Sequence, residues 1–530
     1  MNGLDDRLLE NLYPRLKNFS ASSELSVVKN NNARTALFFR PEQNSSEQLF
    51  VKLYKKGKLG HKLKHILVPS KAFSEWKKLR HFNSIGLPSP RPLAFSERKR
   101  FGLLGECCLL IEAIPSALPI NKYLEKNDLE SEKKRELIIA LARFIKTLHD
   151  NNVFYRDLHS GNILVRKKNE ADFELFFIDL HKAALIGKLF EWMKVKDIAQ
   201  LLNSVFFSDA ETLSFIKEYL GEVETESKNL KDFSQKITAK RYKLKQLTIK
   251  SRSKRCLKKS TVFSYSKNFK ETYHGRRDFG KKEADKVLSL HALNKKNNSG
   301  SVLQNSRKSI ITLVEREGEE SLCVKENRFI GFFYLLKNLF RKSRAMRSWI
   351  AANGMLVRKI ETPLPCAVIE RKRGLFITKS FIVTKYVTGA NEINDYINIF
   401  RNTSVKHNKA SFVKACALFL RKVHDAGVYH TDWKSNNLLV TNNLENSWNF
   451  HLVDLDLVLL REKLSFYHRA NNLAQLNASI SSIMTVKDRM KFFNFYAKGT
   501  SLYSERKKYY RKIIAIGKTK STKPYGITFT

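Results

Sequence analysis

This sequence lacks the cysteine spacings that mark metal sites or disulfide frameworks. Its six cysteines include no C-x-x-C pair, which fits a protein of a reducing compartment. It also lacks an uninterrupted apolar run of about 18 residues, so we expect no transmembrane helix. The N-terminal residues M-N-G-L-D-D-R-L-L-E carry acidic side chains and no apolar core, so we expect no signal peptide. Together these absences predict a cytoplasmic protein.

Acidic residues are scarce as well. The 530 residues contain 51 Asp and Glu against 97 Lys and Arg, a net charge of +46. Such a surface predicts a polyanionic partner, which charge alone leaves open as nucleic acid, an anionic membrane leaflet or a phosphorylated lipid. The hydrophobic content of 42% supports sizeable cores and excludes a disordered chain.

One stretch combines residues with catalytic chemistry. It reads Y-R-D-L-H-S-G-N-I-L-V over 155–165 and F-E-L-F-F-I-D over 173–179. This spacing is close to the kinase catalytic loop H-R-D-L-x-x-x-N and the metal-binding Asp that follows it. Asp157 is placed to orient and deprotonate an acceptor hydroxyl. Asn162 and Asp179 offer oxygen ligands to Mg²⁺, which bridges the phosphates of ATP.

The same stretch occurs again 275 residues further along the chain. It reads Y-H-T-D-W-K-S-N-N-L-L-V and then F-H-L-V-D, so that Asp432, Asn437 and Asp454 repeat the three residues. A constant offset over several positions indicates an internal duplication. We therefore predict an α+β protein with two tandem protein-kinase-like domains, each with a small β-rich lobe and a mainly helical large lobe. The predicted parts are a first domain at 1–227, a basic helix or linker at 228–261 and a second domain at 262–530.

The residues before the first catalytic loop predict a small lobe. The strand Q-L-F-V-K-L-Y carries Lys52 in its middle, and the helix that follows offers Glu75 as its ion-pair partner. In kinases such a Lys contacts the α- and β-phosphates of ATP. No G-x-G-x-x-G precedes Lys52, so the phosphate-covering hairpin is K-N-N-N-A-R, in which Asn tolerates a tight turn. In the large lobe, Asp197 is a candidate brace for the catalytic loop.

The second repeat departs from the first at several positions. L-C-V-K-E aligns Lys325 with Lys52, but Ser348 stands where the first repeat has Glu75. Glu326 or Glu315 could compensate for the missing helix Glu. We expect the phosphate-covering hairpin between residues 297 and 314, with Gly300 in its turn.

Between the repeats, residues 236–259 contain eleven Lys or Arg and no acidic residue. Apolar residues at helical spacing lie nearby, at Leu230, Phe233, Ile237, Leu244 and Leu247. Three interpretations stay open: the last helix of the first repeat, a helix on a membrane surface, or a basic linker.

These motifs resemble those of the lipopolysaccharide kinases (Kdo/WaaP/InaA-like). The similarity lies in Y-R-D-L-H-S-G-N-I-L-V with I-D-L, S-R-A-M-R-S-W-I-A-A-N before T-P-L-P, V-D-L-D, and N-L-A-Q-L-N, over roughly 20–220 and 295–500. The family usually has Arg after the D-L-D segment, where this sequence has Lys182 and Leu457.

The resemblance implies a protein-kinase-like fold that uses ATP and Mg²⁺. It implies phosphate transfer to a heptose or Kdo hydroxyl of the lipopolysaccharide inner core, at the inner face of the cytoplasmic membrane. The partners would be lipopolysaccharide core or another anionic glycolipid and the anionic membrane surface. Lys52, Glu75 and Lys325 would bind the nucleotide, and Asp157 and Asp432 would be catalytic. The metal ligands would be Asn162, Asp179, Asn437 and Asp454.

Three other functions compete with this one. The second repeat could be a weak or inactive module that binds nucleotide or anionic lipid as a scaffold. A protein kinase is disfavoured because the sequence has no A-P-E motif and no long activation segment. A nucleic-acid binder is disfavoured because no recognisable nucleic-acid-binding motif accompanies the charge.

Overall fold

Backbone contacts divide the chain into a first unit, Met1–Lys245, and a second unit, Gln246–Thr530, in the computed structural model. Each unit is described below by itself. The structure describes residues 25–30, 34–39, 48–55, 68–100, 103–126, 130–169, 172–221, 227–297, 301–328, 341–374, 376–401, 406–442, 448–500 and 502–520.

The described residues of the first unit form three sheets and a set of helices. Its strands are β1 Leu25–Asn30, β2 Arg34–Phe39, β3 Leu49–Tyr54, β4 Pro92–Arg100, β5 Leu103–Glu112, β6 Leu118–Pro119, β7 Val153–Phe154, β8 Ile163–Asn169, β9 Asp172–Phe177 and β10 Ala184–Leu185. Its helices are α1 Lys71–Ser84, α2 Ile120–Lys126, α3 Ser131–Asp150, α4 Glu191–Leu202, α5 Asp209–Leu220 and α6 Lys228–Ser253, of which the last crosses the boundary between the units.

A five-stranded antiparallel sheet forms the small lobe of the first unit. Its order is β1-β2-β3-β5-β4, and Lys52 lies opposite Ala36 on one side and Leu109 on the other. The Ser70 hydroxyl accepts a hydrogen bond from the Phe73 amide and begins α1. The large lobe holds the three-stranded sheet β6-β8-β9, which ends next to the catalytic stretch. The hairpin, the Lys52 strand and the following helix predicted from sequence are confirmed.

The second unit repeats this plan with additions. Its strands are β11 Phe263–Lys267, β12 Glu271–Arg276, β13 Val302–Asn305, β14 Ser309–Arg316, β15 Glu319–Arg328, β16 Pro365–Arg373, β17 Phe376–Lys385, β18 Asn391–Glu392, β19 Val428–His430, β20 Leu438–Asn442, β21 Trp448–Leu452 and β22 Val458–Leu460. Its helices are α7 Lys281–Asn297, α8 Arg344–Val357, α9 Ile393–Asn398, α10 Lys406–Asp425, α11 Phe466–Ser479, α12 Val486–Ala497 and α13 Arg506–Lys520.

The small lobe of the second unit has a larger sheet than the first. The hairpin β11–β12 extends the sheet to seven strands, in the order β11-β12-β16-β17-β15-β14-β13. Helix α7 lies between β12 and β13 in the chain and buries Ala284, Val287, Leu288 and His291. Those four positions have helical spacing, so the sequence contained a signal for this helix.

The turn of the second hairpin lies further along the chain than predicted, and Gly300 itself is outside the residues that the structure describes. Strand β13 begins at Val302, after Gly300, and the turn between β13 and β14 lies at residues 306–308. Ser306 closes that turn, since its hydroxyl donates to the Ser309 carbonyl and accepts from the Ser309 amide.

The basic segment between the repeats is helical, and its apolar residues have a structural role. Leu230, Phe233 and Ile237 on α6 are at most 5% exposed and join the core of the first unit. They are therefore not available to a membrane, whereas Leu247 is 55% exposed. Among the helices that the structure describes, none is both long and apolar enough to cross a bilayer.

Candidate active site

A buried ion pair joins the sheet and the helix of the first small lobe. The Lys52 ammonium lies 2.6 Å from Oε1 of Glu75, and the Tyr54 hydroxyl donates to Oε2 of the same carboxylate at 2.9 Å. Burial opposes the charge on Lys52, but Glu75 and Asp179 outweigh it and raise the pKa of the ammonium. The structure thus contains the contact between Lys52 and Glu75 that the sequence predicted, with its charge fixed at neutral pH.

Hydrogen bonds to backbone carbonyl groups hold the catalytic stretch of the first unit in its conformation. The side-chain amide of Asn162 donates to the carbonyl oxygen of Asp157 at 3.0 Å. The Ile178 amide donates to the Asn162 carbonyl at 3.0 Å, which ties the loop to the strand that carries Asp179. Asp157, Asn162 and Asp179 are therefore linked through a short hydrogen-bonded path.

The Asp197 side chain holds this catalytic loop in place through backbone hydrogen bonds. Its two carboxylate oxygens accept from the backbone amides of Tyr155 at 2.7 Å and Arg156 at 3.0 Å. Asp197 is fully buried on α4. Arg156 adopts a left-handed backbone with φ of 68°, which is uncommon for a residue with a long side chain and occurs where surrounding contacts hold it. The predicted bracing role is confirmed.

Asp179 lies at the centre of a cluster of positive groups. It follows β9 in a left-handed conformation, which Asp tolerates. Its carboxylate accepts from the Arg34 guanidinium at 3.0 Å and from Lys52 at 3.4 Å, and the His181 ring lies 3.4 Å away. Burial alone would raise the pKa of Asp179, but the His181 ring and both cations lower it well below its usual value. Asp179 is therefore a carboxylate at any physiological pH.

Asp157 faces a single lysine. The Lys182 ammonium lies 2.6 Å from Oδ2 of Asp157, and both side chains are partly exposed, at 52% and 32%. Lys182 occupies the position where the resembling family usually has Arg.

The residues of the first unit fit a magnesium ion. Glu75, Asp179 and His181 place ligand atoms within 4.8 Å of one another. Asn162 donates through its amide nitrogen, which leaves its amide oxygen for a metal. Carboxylate and amide oxygens are the ligands that Mg²⁺ prefers, so Asp179 with Asn162 would hold it. Glu75 is already engaged by Lys52 and Tyr54.

The second unit reproduces the loop geometry. The side-chain amide of Asn437 donates to the Asp432 carbonyl at 3.0 Å, and the Val453 amide donates to the Asn437 carbonyl at 2.9 Å. Asp454 follows β21 with φ of 54°. Its carboxylate forms an ion pair with the Lys325 ammonium. The same four residue types are thus brought together as in the first unit.

Several supports of the first site are replaced in the second. Ser348 is buried on α8 where α1 has Glu75. Asn472 takes the place of Asp197, so that a neutral amide holds this loop: it donates to the His430 carbonyl and accepts from the His430 amide at 3.4 Å. Asp432 is paired with Lys434 at 2.9 Å, from within the loop itself.

The idea that Glu326 compensates for the missing helix Glu was wrong. Its carboxylate is 3.1 Å from both His291 and Lys295, and 3.5 Å from Lys379. Burial would raise its pKa, but His291 and Lys295 lower it to about 2. Successive strand residues point to opposite faces of a sheet, so Glu326 faces away from its neighbour Lys325. The other candidate, Glu315, is exposed.

Three contacts of the two sites were not predicted from the sequence. They are the pairs of Arg34 with Asp179, Lys182 with Asp157 and Lys434 with Asp432. The pair of Lys434 with Asp432 could have been predicted, since the two residues are two positions apart in the sequence. The pair of Arg34 with Asp179 could not have been predicted, because 145 residues separate the two in the sequence.

A family model described as the lipopolysaccharide kinase (Kdo/WaaP) family matches this chain in two segments, 20–219 and 329–496. The two segments contain both catalytic loops. Together they span more than half of the 530 residues.

Curated relatives include 3-deoxy-D-manno-octulosonic acid kinases. That of Haemophilus influenzae (strain PittEE) is 27% identical over 139 residues, 26% of this chain and 55% of the relative. That of Vibrio cholerae serotype O1 is 29% identical over 123 residues, 23% of this chain and 50% of the relative. The chain thus spans about half the length of these relatives. A solved structure, WaaP in complex with acyl carrier protein, is 20% identical with a TM-score of 0.35, over 47% of this chain and 99% of that one.

Proposed function

The chain belongs to the lipopolysaccharide kinase (Kdo/WaaP) family, and from this membership we propose that it transfers phosphate from ATP to a sugar of the lipopolysaccharide inner core. The acceptor would be a hydroxyl of a heptose or of a 3-deoxy-D-manno-octulosonic acid residue. The observation that carries the proposal is the first site, in which Lys52, Glu75, Asp157, Asn162 and Asp179 have the mutual contacts that phosphoryl transfer requires.

Each residue has a role that follows from its surroundings. Lys52, fixed by Glu75, would contact the phosphates of ATP, and Asp157 would accept the proton of the sugar hydroxyl. Magnesium, when bound, neutralises charge on the phosphates. Asn162 and Asp179 would hold it, and Arg34, which now contacts Asp179, would turn to the phosphates. Phosphoryl transfer needs mainly such positioning and charge stabilisation.

The basic composition supports an anionic acceptor. A net charge of +46 attracts a glycolipid that carries phosphate and carboxylate groups. The same charge would also attract nucleic acid, so the sugar acceptor rests on family membership and not on charge.

The test is incubation of the chain with ATP, Mg²⁺ and extracted core lipopolysaccharide, followed by mass spectrometry of the glycolipid. We expect the mass to rise by that of one phosphate group or more. The control is a chain that carries Asp157→Asn and Asp432→Asn together, which should leave the glycolipid unchanged. Phosphate on an added protein such as casein, with none on the glycolipid, would contradict the proposal and favour a protein kinase.

We also propose that exposed cations on α6 hold the chain at an anionic membrane surface. Lys243 and Lys245 are exposed, and Tyr242 beside them is 50% exposed. Each cation near an anionic leaflet contributes about 1 kcal/mol, which salt reduces. The double variant Lys243→Gln, Lys245→Gln should bind vesicles with anionic lipid roughly 30-fold more weakly at low salt.

Sedimentation with vesicles measures this binding. The matched control is Lys282→Gln with Lys286→Gln, which removes the same charge from exposed positions of α7. Equal binding by the two double variants would show that the effect is one of net charge and that α6 has no special part.

A further inference from the structure

Basic side chains of the second unit converge on one cavity of about 400 Å³, which we call the basic cavity. They come from three elements of the small lobe. Arg307 and Lys308 lie in the turn between β13 and β14, Arg328 ends β15, and Arg344 and Arg347 lie in the first turns of α8. Asp456 and Leu457, which follow Asp454 in the chain, complete the wall.

Asp456 anchors two of these cations. It is buried, and its Oδ2 accepts from Nε of Arg344 at 2.6 Å and lies 3.5 Å from Arg347. Its other oxygen, Oδ1, has no hydrogen-bond partner in the part of the chain that the structure describes. The carboxylate therefore orients both guanidinium groups at the wall of the cavity.

The remaining cations have no such counter-charge. Within the described ranges, no carboxylate lies within ion-pair distance of Arg307, Lys308 or Arg328. The residues that line the basic cavity thus include five cations and one acidic residue, Asp456, around a space that a small ligand could fill. Such a concentration of like charge is stabilised by an anion, and guanidinium groups bind phosphate and carboxylate groups through paired hydrogen bonds.

The basic cavity adjoins the nucleotide site, since Arg307 and Lys308 lie in the turn of the hairpin predicted to cover the phosphates of ATP, but it does not include the paired lysine and aspartate of that site. Neither Lys325 nor Asp454 lines it, and these two are paired with each other. Building on the proposed function, we propose that the basic cavity binds a phosphate or carboxylate group of the sugar acceptor while ATP occupies its own site.

The first unit matches this group of cations only in part: the offset that aligns Lys325 with Lys52 also aligns Arg328 with Lys55 and Arg344 with Lys71. The offsets between the repeats align Arg347 with Ser74 and Asp456 with His181. His181 lies beside Asp179 and belongs to the nucleotide side of that site. The two units therefore differ at the positions of Arg347 and Asp456, which line the basic cavity in the second unit.

The test is titration calorimetry of the full chain with inorganic pyrophosphate, in saturating Mg²⁺ and a non-hydrolysable ATP analogue. The variant is Arg307→Gln with Lys308→Gln, both exposed turn residues, so that folding should not suffer. We expect pyrophosphate to bind the variant about tenfold or more weakly, since each lost hydrogen bond involves two charged groups. Removing the same charge from α7, by Lys282→Gln with Lys286→Gln, should leave pyrophosphate binding unchanged.

Three results are informative. Unchanged pyrophosphate binding by the variant would overturn the proposal. An equal loss in affinity for the Mg²⁺-bound analogue would assign these cations to the nucleotide and would also overturn it. Failure of the unaltered chain to bind the analogue would instead contradict the proposed kinase function, while the difference between variant and control would still test the basic cavity.

Discussion

Replacement of Asp157 by Asn is expected to slow phosphoryl transfer by the first unit roughly 10²- to 10⁴-fold, the usual cost of losing a general base. Asn has nearly the same shape as Asp but accepts no proton. The loop should keep its conformation, because it is held through the backbone carbonyl of Asp157 and the Asp197 brace rather than through the Asp157 carboxylate. ATP binding should therefore persist.

The rate is measured on the full chain with Asp432→Asn in the background, so that the second unit does not contribute. The matched control is Asp172→Asn, the same change at an exposed position on β9. Nucleotide binding by calorimetry separates loss of chemistry from loss of the site. If the rate with Asp157→Asn equals that of the control, Asp157 is not the base.

The spacing of the catalytic stretch predicted the site because its geometry is local. Asp157 and Asn162 lie five positions apart, and one side-chain hydrogen bond joins them. Asp179 follows directly after a strand that pairs with the strand after Asn162. Loop and strand therefore fix each other within a few residues, and a pattern in the sequence is enough to recognise them.

The charges around Asp179 could not be predicted in the same way. Arg34 reaches Asp179 across the site from another lobe of the first unit, and a basic chain offers many other cations for that place. Only the three-dimensional structure shows which of these cations contacts Asp179. The position of the turn in the second hairpin was mispredicted for a different reason. Both N-N-S-G and N-S-R-K are typical turn sequences, and the glycine led us to choose the first.

The second unit keeps the residues of the reaction, but neutral amides hold its catalytic loop where the first unit has a carboxylate. Lys325, Asp432, Asn437 and Asp454 are present, while the helix Glu and the buried bracing Asp are absent. Since positioning is most of what a phosphotransferase supplies, this unit is expected to be the weaker catalyst. We expect its basic cavity to change which acceptor it binds and not to raise the rate of transfer.

Lys52→Ala should therefore reduce total kinase activity more than Lys325→Ala. Removing one preorganised donor from the phosphates costs about 10²- to 10³-fold in the unit concerned. Lys52 is held by a carboxylate that is itself bound by Tyr54, and its side chain is 6% exposed. Lys325 has Asp454 as its partner and is 19% exposed. Asp454 would also have to hold the metal, so that, among the described residues, the ion-pair partner of Lys325 is shared with the metal.

The comparison needs both variants folded, because Lys52→Ala leaves the Glu75 carboxylate buried without its cation, a change that typically costs 3–5 kcal/mol (order of magnitude). Thermal melts report this loss, and the double variant Lys52→Ala, Glu75→Gln removes the unpaired charge. If the double variant melts like the unaltered chain and its activity stays as low as that of Lys52→Ala, the lost activity belongs to Lys52 and not to unfolding. Equal losses from Lys52→Ala and Lys325→Ala would mean that both units contribute comparably. A larger loss from Lys325→Ala would make the second unit the principal catalyst and would show that the helix Glu is dispensable in this chain.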